Sequence, residues 1–345
     1  MERRHRHHQP LNPYSLHVKL YHTITIFSLS LLLLNSCNEA DDISGDDVPG
    51  YSPVMVSAAP VSPFMRGYVA NGMYDNFKVF AASEKGGLQT VAMDGYEVKF
   101  VADDWTYVTD SQPLAFWSTD VDSYLFTAGA PINAVTSVNA TTLTLHLENN
   151  TTGSAMVCEP QKIERGSANF GKTVNLSFSY AHCRVCVAFI NNAPIATTVT
   201  DITLTPTAPI TSEADITYTY DWTAATPTAT PQLNADATSG NSLSFSPVTI
   251  PPNTAGKVLS TTYHYCVPDA SNTNTWTVSL TENDEPKSAS FTNNQIWESG
   301  KNYIYIFSLE AKTPKLLYVI SQEMEYFDCN DIVAGGEFSN TDMTE

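Results

Sequence analysis

The strongest constraint on the fold is a two-residue period of apolar side chains that recurs through most of the chain beyond residue 50. Leu143, Leu145 and Leu147 alternate with Thr142, Thr144 and His146. Leu176, Phe178 and Tyr180 alternate with Asn175, Ser177 and Ser179, and Tyr218, Tyr220 and Trp222 with Thr217, Thr219 and Asp221. Successive side chains of a strand point to opposite faces, so each such segment packs one face and wets the other. Thr, Val, Tyr and Phe suit that half-buried pleated surface. No segment past residue 50 sustains a helical period, so the sequence predicts an all-β body. Residues 84–87 (EKGG), Asp94-Gly95 and residues 251–253 (PPN) read as turns. Apolar positions are even-numbered through Tyr180 and odd-numbered at Val185, Val187 and Phe189, which predicts a bulge or break near residues 181–183.

A chain of 345 residues, 42% of them hydrophobic, has enough apolar matter for two cores. The expected division is an N-terminal β-sandwich over residues 53–168 and a C-terminal one over residues 169–320. The seam is placed in the small-residue stretch 166–172. The Thr/Ala/Pro tract 223–231 is read as a long loop inside the second domain, and residues 321–345 as an acidic tail.

Charge excludes some partners. The formal net charge is −19. Residues 1–36 hold four basic side chains (Arg3, Arg4, Arg6, Lys19) and one acid (Glu2), so the remainder has 13 basic and 35 acidic residues, a net of −22. Phosphate contacts need Lys and Arg, so nucleic acid is not an expected partner. The basic start and the apolar run 24–34 (ITIFSLSLLLL) read as an export signal over residues 1–36, too short at eleven residues for a bilayer span of about 20. Residues 34–37 (LNSC) resemble a bacterial lipobox. That resemblance implies cleavage after Ser36, a diacylglyceryl group on Cys37 and palmitate. The alternative is a plain secretory signal with an incidental cysteine. Residues 37–52 read as an acidic tether that cannot bury enough surface to fold. Glu39, Asp41 and Asp42 resemble the acidic surface-export signal of lipoproteins from Bacteroidota-type cells, and the alternative is an ordinary solvated linker.

No residue set stands out as catalytic. Besides Cys37 the chain holds Cys158, Cys183, Cys186, Cys266 and Cys329. Cys183 and Cys186 have redox-motif spacing but lie in an apolar strand run, where positions three apart face opposite ways, so buried small hydrophobes are the better reading. A zinc site would need further ligands. His146, His182 and His264 each sit alone in strand patterns, and no nucleophile-elbow glycine pattern is present. No metal, no cofactor and no enzymatic activity are expected. Trp105, Trp117 and Trp222 read either as core residues or as an aromatic platform for sugars.

Three stretches together resemble the fimbrillin family, the type V pilins and related surface lipoproteins of Bacteroidia. Residues 105–131 (WTYVTDSQPLAFWSTDVDSYLFTAGAP) resemble its first-domain signature, except that Gly129 lies near where members tend to place another aromatic. Residues 174–190 (VNLSFSYAHCRVCVAFI) resemble the strand that opens its second domain, with His182 at a place where His is usual. Residues 297–309 (WESGKNYIYIFSL) resemble its Trp-x-x-Gly-Lys-x-Tyr-x-Tyr strand. The resemblance covers roughly residues 51–320. It implies two tandem transthyretin-like β-sandwiches and a lipid-anchored, surface-exposed outer-membrane precursor. It further implies assembly with other fimbrillin subunits by strand exchange after an outer-surface protease cuts behind an arginine in the first strand. Here that strand would be residues 54–64 and the arginine Arg66, with residues 315–320 (KLLYVI) as donor or last strand. The expected function is thus a non-catalytic pilus component or adhesin with a host or bacterial surface ligand. The alternative is a carbohydrate-binding surface lipoprotein of a nutrient-uptake system.

Overall fold

The computed structural model describes residues 52–59, 76–101, 104–108, 112–224, 226–252, 257–270, 272–309 and 313–324. Ser36, Cys37, Arg66 and Cys329, with the leader, most of the tether and the tail beyond residue 324, lie outside the described residues. Within them the regular structure is strand, apart from a 3-10 turn at Ile132–Ala134 and the 3-10 residue Met324. No helix among the described residues is long and apolar enough to cross a membrane.

The strands form four sheets. The first is eight-stranded, in the order β1 (Val56–Ala59), β10 (Val174–Tyr180), β8 (Met156–Cys158), β5 (Ser123–Ala130), β2 (Asn76–Lys85), β3 (Leu88–Val101), β4 (Asp104–Tyr107), with β9 (Gln161–Glu164) added on β5. This sheet curls around its own core, so that side chains from both ends, Val56 of β1 and Trp105 of β4, join one cluster with Phe77, Met93, Phe126, Leu176 and Phe178. A four-stranded sheet, β14 (Thr228–Ser239), β13 (Ile210–Asp221), β7 (Thr142–Glu148), β6 (Val135–Val138), packs on its other face. The layer between them holds Leu125, Val157, Leu143, Leu145, Leu147, Ile216 and Tyr218.

The other two sheets enclose a separate core. One runs β17 (Val258–Leu259), β11 (Cys183–Asn191), β21 (Lys301–Leu309), β22 (Pro314–Glu323), with β18 (His264–Cys266) on β11. Its partner runs β15 (Leu243–Phe245), β12 (Thr197–Pro206), β19 (Thr275–Glu282), β20 (Glu285–Thr292), with β16 (Val248–Ile250) on β12. Val185, Val187 and Phe189 of β11 meet Leu204, Trp276 and Val278 of the facing sheet. The outward side of β11 and β21 is also covered, by a cluster of Cys186, Ala188, Leu259, Ile304 and Ile306. That double burial suits the parallel β11–β21 pair.

The chain does not finish one pair of sheets before starting the other. β1 to β10 lie in the first pair, β11 and β12 in the second, β13 and β14 in the first again, and β15 to β22 in the second. The break in apolar phase at residues 181–183 is the first crossover, where the chain leaves β10 and enters β11. The boundary expected at 168/169 is therefore not a division between sheets, because β10 and the β13–β14 hairpin, both beyond it, pair with strands from before it.

Several local readings change. Residues 228–231 are not loop but the start of β14, paired with β13. This is an outer strand with mostly exposed side chains, so it carries no apolar face to show in the sequence, and such an edge tolerates Pro231. Asp94-Gly95 is not a turn. Gly95, at φ 62°, sits where the β2–β3 register shifts, a bulge inside β3. Lys85-Gly86-Gly87-Leu88 is a tight hairpin turn, with φ of 57° and 79° at its two glycines. Strand β22 continues to Glu323 and Met324 is buried, so the tail begins later than residue 321.

Candidate functional site

The feature best suited to a partner chain is the edge of the first sheet at β1. This strand is short and pairs in parallel with β10, from Val56 opposite Val174 to Ala59 opposite Ser177. The residues just before it are held by β4 and the segment between β4 and β5. The Val54 N–H donates to the Ala115 carbonyl at 2.8 Å, the Trp117 N–H to the Ser52 carbonyl at 3.0 Å, and the Tyr107 hydroxyl to the Val54 carbonyl at 2.6 Å. Val54 and Val56 are fully buried in the core that also holds Trp105, Trp117, Leu176 and Phe178. β1 and the residues before it are thus a plug: a few backbone bonds to β10 and to residues 115–117, and two valines set into an apolar cleft. The first strand expected from residue 54 appears as Val56–Ala59, and residues 60–75, with Arg66, lie outside the described residues. Residues 315–320 fall within β22, the outermost strand of its sheet, hydrogen-bonded along β21.

The three tryptophans are internal and far apart in role. Trp105 packs on Phe77 and Phe100 at centroid distances of 5.0 and 5.2 Å. Trp117 packs on Tyr124 and Phe170, each at 4.8 Å. Trp222 donates its indole N–H to the Ala140 carbonyl at 2.7 Å and belongs to the layer between the first two sheets. Their exposures of 8%, 3% and 8% leave no indole face open to stack on a sugar.

The family-like stretches are held by specific bonds. The Tyr124 hydroxyl accepts from the Ser118 N–H at 3.0 Å and donates to the Phe116 carbonyl at 2.8 Å, fixing the chain between Trp117 and β5. Before β21, Trp297 donates its indole N–H to the Tyr305 hydroxyl at 3.0 Å, which donates to Asn293 Oδ1 at 2.9 Å. Gly300, at φ 74°, donates its N–H to the His182 carbonyl at 2.9 Å.

His182 is the crossover residue between β10 and β11, and it is buried. Its Nδ1 accepts from the Ala155 N–H at 3.0 Å and lies 3.2 Å from Ser154 Oγ. Its Nε2 donates to the Glu148 carbonyl at 3.1 Å. Burial lowers its pKa to about 4, so the ring is neutral at ordinary pH. This residue does not meet solvent as a strand-face histidine would; it ties the crossover to the end of β7 and the loop before β8. His264 is half-buried, with Nε2 2.8 Å from the Ser244 carbonyl, and burial lowers its pKa.

His146 does lie on the polar outer face of β7. Its Nδ1 is 3.0 Å from Asp215 Oδ1, and its Nε2 is 3.4 Å from both Glu148 Oε1 and Glu213 Oε1. The hydrogen bond to Asp215 and the neighbouring carboxylates raise its pKa. Glu213 stands directly opposite Glu148 across the β7–β13 pair, a like-charge juxtaposition that a protonated His146 offsets. Ligand atoms of His146, Glu148 and Glu213, and of His146, Asp215 and Asp236, lie within 4.8 Å of one another, so either trio has the spacing to hold a cation. Sequence reading missed this group because its members come from three strands. The i, i+2 repeats His146–Glu148 and Glu213–Asp215 put each pair on one face but say nothing of which strands adjoin.

Comparison with known proteins places the chain. A profile of the family described as fimbrillin-like matches residues 69–324. The chain belongs to the fimbrillin-like family. Membership supports a fimbrial or adhesin-like role at the cell surface and contact with other fimbrial subunits. It also groups the chain with proteins of a non-enzymatic kind. No curated protein sequence matches the chain. Among solved structures, one from Bacteroides ovatus assigned to cell adhesion shares the fold at 13% identity and a TM-score of 0.50, covering 79% of this chain and 98% of that one. A cell adhesion assignment from Bacteroides uniformis matches at 13% identity and a TM-score of 0.46 over 72% of this chain and 91% of that one. The tip fimbrial protein Mfa3 from Porphyromonas gingivalis matches at 10% identity and a TM-score of 0.37 over 72% and 94%.

Proposed function

We propose that this fimbrillin-like protein is a lipid-anchored, surface-exposed subunit, not a catalyst, that joins its neighbours by β-strand addition. The observation that carries this reading is the position of β1. It is an edge strand, held in parallel to β10 and plugged by Val54 and Val56, and it lies upstream of Arg66 in sequence. Cleavage after Arg66 would cut β1 from the rest of the chain. Its departure would uncover the β10 edge and the apolar cleft that the two valines fill. Main-chain bonds to β10 would then supply affinity for a neighbour's strand, and the cleft would select its alternate side chains. While β1 stays in place it covers an edge that would otherwise pair unselectively. Acylation at Cys37 after removal of residues 1–36 would hold the precursor at the outer membrane. Two sandwich domains, one on each pair of sheets, would then act as stacked building blocks. The burial of Trp105, Trp117 and Trp222 leaves the carbohydrate-platform reading without a supporting surface.

The test is to treat purified precursor with an Arg-specific protease and follow mass and size together. Loss of the segment ending at Arg66 followed by formation of multimers is the expected result, with Arg66→Ala remaining monomeric. Clean trimming without multimers would refute strand addition at this edge. Intact mass of membrane-extracted protein independently reads out acylation at Cys37.

A further inference from the structure

The four described cysteines are buried and not bonded to one another in this structure, but they do not share one environment. Cys158 sits in the core of the first sheet. Cys186 lies in the cluster on the outward side of β11. Cys183 and Cys266 lie together in the core between the second pair of sheets. The spacing of Cys183 and Cys186 on one strand sends them to opposite faces, so that pair has no route to a bond. Cys183 and Cys266, by contrast, are direct cross-strand partners in the antiparallel β11–β18 pair, followed by Arg184 opposite Tyr265 and Val185 opposite His264.

We propose that Cys183 and Cys266 form a disulfide in the mature protein, staking β18 to β11. Directly opposed residues project to the same face with Cβ atoms roughly 4.5–5.5 Å apart, and a disulfide spans roughly 3.5–4.5 Å. A closure of about 1 Å between strands already in register is therefore sufficient. Cys183 Sγ lies 3.4 Å from the Cys266 carbonyl, so its side chain already lies toward its partner strand. The bond closes a loop that contains β12 to β17, including the β13–β14 hairpin that returns to the other pair of sheets.

Each thiol loses its hydrogen and one sulfur–sulfur bond forms. The oxidant is the disulfide of an extracytoplasmic thiol–disulfide oxidoreductase, which is reduced to two thiols. Exchange requires a thiolate, and burial together with the adjoining Cys266 thiol holds the Cys183 thiol well above its ordinary range. The bond must accordingly form while the strands are still assembling, and once enclosed it is shielded from reductants. The proposal rests on the surface reading, since only an oxidising compartment supplies the acceptor.

The experiment takes full-length protein from cell envelopes, blocks free thiols with N-ethylmaleimide in denaturant, and maps peptides without reduction. The expected result is one linked peptide pair joining Cys183 to Cys266, lighter by two hydrogens than its reduced form. Cys158→Ser should leave the linkage intact, and Cys183→Ser should make Cys266 alkylatable. Linkage of either residue to another cysteine, or alkylation of both, overturns the proposal. Refolding the reduced full chain in a glutathione redox buffer separates the causes of a negative. Linkage formed there but missing from cells faults the surface location, whereas no linkage in either faults the geometry.

Discussion

Two histidines respond to acid in opposite senses because one is enclosed by neutral groups and the other by carboxylates. His182 is neutral and buried, with its pKa lowered from 6.5 to about 4. The unfolded chain takes up its proton first, so the stability this residue contributes is full above about pH 6.5 and is lost as pH falls toward about 4. At about 1.4 kcal/mol per pH unit, that loss is roughly 3 kcal/mol. His146 has a raised pKa, so its contribution is full below about 6.5 and is lost as pH rises through its folded value. Denaturant unfolding between pH 4 and 8 should therefore show His146→Gln most destabilising at the acid end of its own titration, with wild type and variant converging as pH rises. NMR titration should place the His146 imidazole above the ordinary range and leave His182 neutral at pH 6. A third residue, Gly129, lies near the place where another aromatic is usual. A Cβ there would lie 2.8 Å from Val135 Cγ2 and 2.9 Å from Leu145 Cδ2, so the second sheet rests directly on this backbone. Gly129→Ala is expected to cost about 1–3 kcal/mol in chemical unfolding, and Gly129→Val more. The sequence shows a glycine in an apolar run; only the neighbouring sheet explains why a side chain is excluded.

At the scale of the element, alternation located the strands that have one dry and one wet face, such as β7, β10 and β13. It failed at both extremes. β5 is buried on both faces and β14 is largely exposed, so neither alternates; β5 was legible only through the family-like stretch 105–131, and the start of β14 was read as loop. The edge strand β1 was visible as a strand, but not that it pairs in parallel with β10, over a hundred residues away. Its hold on the sheet depends on Val54 and Val56. Placing carboxylates at those buried positions costs several kcal/mol each unless the strand leaves its cleft. The Val54→Asp/Val56→Asp double variant, in an Arg66→Ala background, should therefore displace β1 without proteolysis and multimerise, as followed by light scattering and by faster amide exchange along β10. A monomer with β10 protected as in the wild type would show that the cleft keeps its plug for other reasons.

On the scale of the whole molecule, patterning indicated all-β structure, which is present, while the apolar matter is divided among four clusters. The order in which strands join the sheets was not legible, because pairing partners lie far apart: β7 with β13 and β8 with β10. Fragment 53–168, made alone, is expected to lack cooperative thermal unfolding and near-ultraviolet ellipticity, because it lacks β10 and the β13–β14 hairpin. Fragment 169–324 keeps every strand of the second pair of sheets and is expected to melt cooperatively. Cooperative melting of the first fragment alone would show that the interleaving is dispensable. The interleaving also has a bearing on survival outside the cell. The chain passes between the two halves at residues 181–182, 207–209 and 240–242. A single nick at any one of these leaves two covalent tethers, so a hostile peptidase must cut three times before the halves can drift apart.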